Sequence, residues 1–174
     1  MNPDHPHFVS PGLKRVATLC VLHHHRNLML LERTKEPHIG RFTPLGGKVD
    51  PNETPLAGAI RETYEETGIE LDTMRYRGML VETSPLAHMN WVGFVYSAEI
   101  EYREPPTCTE GTLKWLDFDE LHRSPVPETD PYVYSYMFRN EPFMLNALFD
   151  DEDRLIRLDE HISGACLFNR EGRP

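Results

Sequence analysis

Several things this chain lacks narrow what it does. It has only three cysteines in 174 residues, Cys20, Cys108 and Cys166. They are odd in number, far apart and in no C-x-x-C arrangement, which argues against a disulfide framework or a zinc knuckle and for a reducing cytoplasm. No run approaches the roughly 18 apolar residues of a membrane span. Residues 1–12, rich in proline and histidine, have neither the basic nor the apolar region of a secretory signal and read as a loose arm. No lysine and arginine cluster offers a nucleic-acid footprint, and a formal net charge of −10 opposes any polyphosphate partner unless a local cation offsets it. The expected partner is a small molecule, with no nucleic acid and no membrane, and the chain a monomer or homodimer.

The length suits one compact domain, expected over 13–160 with a polar tail over 161–174. Lys14 to Leu22 and Leu28 to Leu31 are apolar and β-branched and flank a turn-like His23-His24-His25-Arg26-Asn27, which predicts a hairpin. The histidine triplet reads as a solvated turn, since neighbours in a turn point in different directions. Strands are expected over Arg75 to Glu82, Trp91 to Ile100 and, shorter, Leu113 to Leu116. A helical turn follows at Asp119 to Arg123 and a helix at Tyr132 to Arg139. Phe143 to Phe149 and Leu155 to Leu158 form a last hairpin around Asp150-Asp151-Glu152-Asp153, a turn without the glycine and distal glutamate of an EF-hand. Strands mixed with helices imply an α/β or α+β sandwich.

The informative segment begins at Gly46-Gly47. Thr54-Pro55 has the form of an N-cap followed by proline at the first helical position, and Gly68 suits a helix C-terminus, so the helix is predicted over Pro55 to Thr67. At about 100° per residue, Glu62, Glu65 and Glu66 share one face, while Leu56, Ala59, Ile60, Thr63, Tyr64 and Thr67 collect on the side that packs. Like charges at this spacing cost a few tenths of a kcal/mol per pair. Two readings fit the trio: a solvated acidic face, or carboxylate oxygens gathered for a divalent cation such as Mg²⁺, with Mn²⁺ a second candidate.

The wider spacing separates the two. Gly47, Glu53, Arg61, Glu62, Glu65, Glu66 and Gly68 spell G-x5-E-x7-R-E-x-x-E-E-x-G, which at average residue usage recurs at a given start on the order of once in 10⁸ by chance. The pattern resembles the signature of the Nudix hydrolases, with Thr63 where that family usually has an aliphatic residue. The resemblance implies an α/β/α sandwich around a mixed sheet and hydrolysis of a nucleoside diphosphate linked to another group X, with Mg²⁺ as cofactor. It implies Glu62, Glu65 and Glu66 as metal ligands, Gly47 as a further ligand through its carbonyl, and one glutamate, Glu62 or Glu65, as base. Arg61 and Glu53 are expected to orient these acids through a charge-assisted contact. For Arg61 a plain surface pair with Glu65 is the alternative.

Outside the motif the chain resembles, more loosely and from about Lys14 to about Glu160, the family members that hydrolyse oxidised purine nucleoside triphosphates. Gly40-Arg41-Phe42-Thr43 ahead of Gly46-Gly47-Lys48, Glu110 before Lys114-Trp115-Leu116, and Asp130-Pro131-Tyr132 carry this likeness. By position Glu110 resembles an additional metal-binding glutamate, Asp130 an aspartate that reads the purine edge, and Thr43 takes the place of a base-contacting asparagine, with Lys48 a further substrate-binding residue. Glu110 as a loop charge and Asp130 as a helix cap are the alternatives. The base-stacking tryptophan of that subgroup would fall near Pro127, and Thr129 replaces the aspartate that precedes Asp130.

Overall fold

The computed structural model describes residues 13–35 and 38–170. The arm expected over 1–12 lies outside the described residues. Among them, nine strands build one mixed sheet: β1 Arg15–His24, β2 Asn27–Arg33, β3 Phe42–Thr43, β4 Arg75–Thr83, β5 Trp91–Glu99, β6 Gly111–Asp117, β7 Phe143–Phe149, β8 Leu155–Glu160 and β9 Ala165–Asn169. The order is β3-β2-β1-β5-β4-β7-β8-β9, with β6 also paired to β2. β1 runs parallel to β5 and β4 parallel to β7, and the other ladders are antiparallel.

Side-chain alternation along the buried strands assigns residues to two cores. Val21, Leu28 and Leu30 fall in one, with Leu80, Val95, Leu145 and Ala147; it is closed by helix α2 (Asp130–Arg139) through Val133, Tyr134 and Met137. Cys20, Leu22, Met29 and Leu31 fall in the other, under helix α1 (Pro55–Thr67) through Ala59, Leu56 and Ile60. A sheet buried on both faces needs apolar residues at consecutive positions, which is why β1 and β2 read as runs and not as alternation. Each fully buried leucine or methionine here contributes roughly 1.5–3 kcal/mol. The arrangement is the α/β/α sandwich around a mixed sheet.

Three segments depart from expectation. The turn after β1 is confined to His25-Arg26, with His25 at φ 51°, so His23 and His24 belong to the strand. His23 is buried against Phe138, its Nδ1 meets the His25 carbonyl at 3.2 Å, and burial holds it below the ordinary imidazole range. β6 is seven residues long where a four-residue strand was expected, because it pairs along the whole of β2. The polar tail expected over 161–174 contains β9, paired antiparallel to β8. What binds it is Glu160, 2% exposed, whose carboxylate accepts the N–H groups of Met144 (3.1 Å), Ile162 (2.9 Å) and Ser163 (2.6 Å) and the Ser163 hydroxyl (2.7 Å).

Candidate active site

Helix α1 starts and stops where local chemistry dictates. Thr54 Oγ1 accepts the Ala57 N–H at 3.2 Å, Pro55 opens the first turn, and Gly68 donates its N–H to the Tyr64 carbonyl at 2.7 Å. Ala59 and Thr63 are fully buried against the sheet side, the Thr63 hydroxyl lying 3.7 Å from the Met74 sulfur, so a threonine fits where an aliphatic residue was expected. Tyr64, assigned to the packing side, is instead 52% exposed. Glu66 has turned inward, 7% exposed.

The reason lies in the loop before the helix. Leu45 and Cys20 exchange backbone hydrogen bonds (2.7 and 3.1 Å), and Val49 donates to the Val16 carbonyl, so the loop is laid along β1. Gly46 has φ 122°, and a Cβ there would overlap the Thr18 carbonyl. Its N–H donates to Glu66 Oε2 at 2.8 Å. A Cβ on Gly47 would come within 2.5 Å of the Glu62 carboxylate, so the second glycine makes room for that acid. The Gly47 carbonyl, expected among the metal ligands, faces β1 and accepts the Thr18 N–H at 2.8 Å.

Arg61 organises the remaining acids. Its Nη2 and Nε donate to the two oxygens of Glu53 (2.6 and 3.1 Å), its Nη1 to Glu62 Oε1 (2.8 Å) and Glu65 Oε2 (3.3 Å), and its Nη2 also to the Lys48 carbonyl (3.2 Å). Glu53 in turn accepts the Asp50 N–H at 2.8 Å. The two-pronged contact to Glu53 is the charge-assisted clamp expected of an orienting pair. The Glu65 contact exists too, but it is the longest and Glu65 is the most exposed of the three partners.

Electrostatics divides the cluster. The Arg61 guanidinium and then the Asp50 amide hold the Glu53 carboxyl below its ordinary range. Burial pushes Glu62 up, partly countered by Arg61, with Glu65 and Glu110 raising it further. Burial pushes Glu66 up to about 8; the Gly46 amide opposes this, while the charges of Glu62 and Glu110 add to it. A buried carboxyl surrounded by like charge is a site that gains from a cation. The thiol of Cys20 beneath the helix is pushed up to about 12, chiefly by burial, so it offers no nucleophile.

The donor set of Glu62, Glu65 and Glu66 consists of hard oxygens, and Gly47 leaves space beside them, so these residues fit a magnesium-class ion. Among the described residues no three such side chains already converge on one point, because Arg61 draws Glu62 and Glu65 while Gly46 holds Glu66. Glu110 is brought near: its charge acts on Glu62 and Glu66, and its carbonyl anchors Thr34 through N–H (3.2 Å) and hydroxyl (2.9 Å).

Lys48 is exposed, and what it gives the network is its carbonyl. Thr43 is buried beside Leu31, its Oγ1 without a hydrogen-bond partner among the described residues. Asp130 is the first residue of α2 and caps nothing: its Oδ2 accepts the Tyr134 hydroxyl at 2.9 Å, and burial pushes its carboxyl up to about 7. Sequence reasoning missed Glu82 and Arg41, which line a cleft with Pro127 and Phe149 and whose charges act on Asp130. Residues 41, 82 and 130 sit in no common motif, so nothing local could have joined them.

Comparison with known proteins identifies the family. The sequence model of the NUDIX domain matches residues 13–137. The chain is 25% identical over 146 residues to an oxidized purine nucleoside triphosphate hydrolase of Mus musculus, covering 82% of this chain and 91% of that protein. It is 26% identical to an uncharacterized Nudix hydrolase of Bacillus subtilis, covering 74% of this chain and 82% of the relative. Among solved structures it resembles a MutT protein from Bacillus halodurans, with a TM-score of 0.73 at 22% identity over 85% of this chain and 98% of the other. With the glutamate helix, its glycine loop and the matched domain all in place, the chain belongs to the Nudix hydrolases.

Proposed function

We propose that the chain hydrolyses a nucleoside diphosphate linked to X, and that X is a further phosphate: a purine nucleoside triphosphate, oxidised or not, goes to monophosphate and pyrophosphate with Mg²⁺. The observation that carries this is Glu66, a carboxyl buried beside the charges of Glu62 and Glu110, which with burial push it up to about 8 against the opposing Gly46 amide and the charge of Arg33. Glu62, Glu65 and Glu66 would hold the ion, with Glu110 the nearest addition. When bound, it supplies positive charge to the phosphate oxygens. Arg61 and Glu53 set the rotamers of Glu62 and Glu65, and an ionised glutamate of the pair accepts the proton of the attacking water. Asp130 and Thr43 would be the residues nearest the base, and the lean to purine triphosphates is supported by the mouse relative.

The test is a panel of canonical and oxidised nucleoside triphosphates, ADP-ribose, nucleotide sugars and diadenosine polyphosphates with Mg²⁺. Triphosphates are expected to give monophosphate and pyrophosphate in equal amounts. No product from any compound would sink the hydrolase reading, and turnover of another class alone would move the substrate to that class. Arg61→Lys keeps the charge but loses the fork that holds Glu53, so kcat is expected to fall about tenfold with KM nearly unchanged. Steady-state kinetics on the best substrate reads this directly.

A further inference from the structure

The cleft beside Asp130 is lined by side chains of both charge signs. Glu82 projects from β4 into it, facing Asp153 from the turn before β8, and Arg41 enters from the loop ahead of β3. Lys14, whose charge acts on Glu82, does not pair with its carboxylate: the ammonium is held by the Glu82 carbonyl (2.6 Å), Thr83 Oγ1 (2.9 Å) and Asn90 Oδ1 (3.4 Å). Glu128, also lining the cleft, is already taken by the Leu155 N–H (3.0 Å) and Arg170 (2.8 Å). Among the described residues, then, the Glu82 carboxylate and the Arg41 guanidinium have no side-chain hydrogen bond. Asp130, behind them, uses only one oxygen on Tyr134. Pro127 and Phe149 give the cleft its apolar wall.

The carboxyls of Glu82 and Asp153 and the Arg41 guanidinium, all on the cleft's lining, complement a ring edge with adjacent N–H donors next to a carbonyl. Guanine presents that edge. Adenine offers one amino donor among ring nitrogens that only accept, so above about pH 7, where Glu82 is ionised, its lone pairs would face carboxylate oxygens with no donor to meet them. We infer that Glu82 is a specificity-determining residue of this enzyme, accepting from the donor edge of a guanine-type base whose carbonyl meets Arg41. This rests on the nucleotide reading above. A site built around a ligand's donors rejects analogues that lack them, because its own buried polar groups are then left unpaired.

The test separates this inference from turnover. Binding of GMP and of AMP with Mg²⁺, measured by calorimetry on the full chain, needs no hydrolysis. The unchanged chain should bind GMP at least about tenfold tighter than AMP. Glu82→Gln, which keeps size but turns an accepting oxygen into a donor, should weaken GMP at least about fivefold and leave AMP within about twofold. Circular dichroism melts check that the variant is folded. Should it unfold, Arg41→Lys replaces it, with the same expected narrowing of the GMP to AMP ratio. Equal binding of the two nucleotides by the unchanged chain, or an unchanged ratio in a folded variant, overturns the inference. Hydrolysis of triphosphates in either case leaves the proposed reaction standing; GMP selectivity without hydrolysis of any substrate would do the reverse.

Discussion

Glu66→Gln is expected to lower kcat on a nucleoside triphosphate at least about 100-fold while raising the stability of the metal-free protein. The two effects have one cause. Burial pushes the Glu66 carboxyl up to about 8, so ionising it costs the folded state. Its folded value lies above the unfolded one, about 4.5. The stability associated with the neutral acid is therefore present in full below about pH 4.5 and is lost as pH rises through about 8. A glutamine keeps the acceptor for the Gly46 N–H and never ionises, so at pH 8 the variant should be more stable by roughly 4 kcal/mol. Thermal melts with chelator present would show a higher Tm than the unchanged chain, and added Mg²⁺ should reverse the order, since only the chain with the carboxylate gains from the ion. Wild-type turnover together with an unchanged melt would place the metal elsewhere.

The second large effect concerns the far edge of the sheet. Glu160→Ala should cost about 3 kcal/mol, lowering Tm by roughly 6–12 °C, because three backbone N–H groups and a hydroxyl lose their acceptor at once. Burial alone would raise this carboxyl, but the Ser163 hydroxyl and the N–H groups of Ile162, Ser163 and Met144 outweigh it and hold it at about 2. Here the folded value lies below the unfolded one. The contribution is whole above about pH 4.5 and disappears as pH falls toward 2, so the gap between unchanged chain and variant should close on acidification. Denaturant melts at pH 7 and pH 3 measure it; a gap that stays constant with pH would show that the loss is packing and not charge.

How much of this was legible in the sequence depends on range. The caps of α1 were, since Thr54, Pro55 and Gly68 act on backbone within a turn. So was the Arg61 clamp, written in one motif. The burial of Glu66 was not: a helical wheel treats Glu62, Glu65 and Glu66 alike, and only the loop pressed onto β1 by Gly46 decides that Glu66 turns inward and Tyr64 out. β9 escaped notice because Ala-Cys-Leu-Phe-Asn is short and does not alternate, and because Glu160, which fixes it, lies in the preceding strand. The cleft was invisible for a related reason, being assembled from the segments before β3, α2 and β8 and from strands in the middle of the sheet.

The division of β1 between two cores has a consequence for how this gene can change. Val21 serves one side of the sheet and Cys20 and Leu22 the other, while Thr18 and Cys20 also carry the loop that positions Glu66. Losing a single codon within 18–22 would hand every following side chain of the strand to the opposite core and slide the glycine loop off its supports. The same loss at His25-Arg26 would only retie a turn. Insertions and deletions should therefore be tolerated at that tip and purged from the strand beside it, even at positions that touch neither metal nor nucleotide.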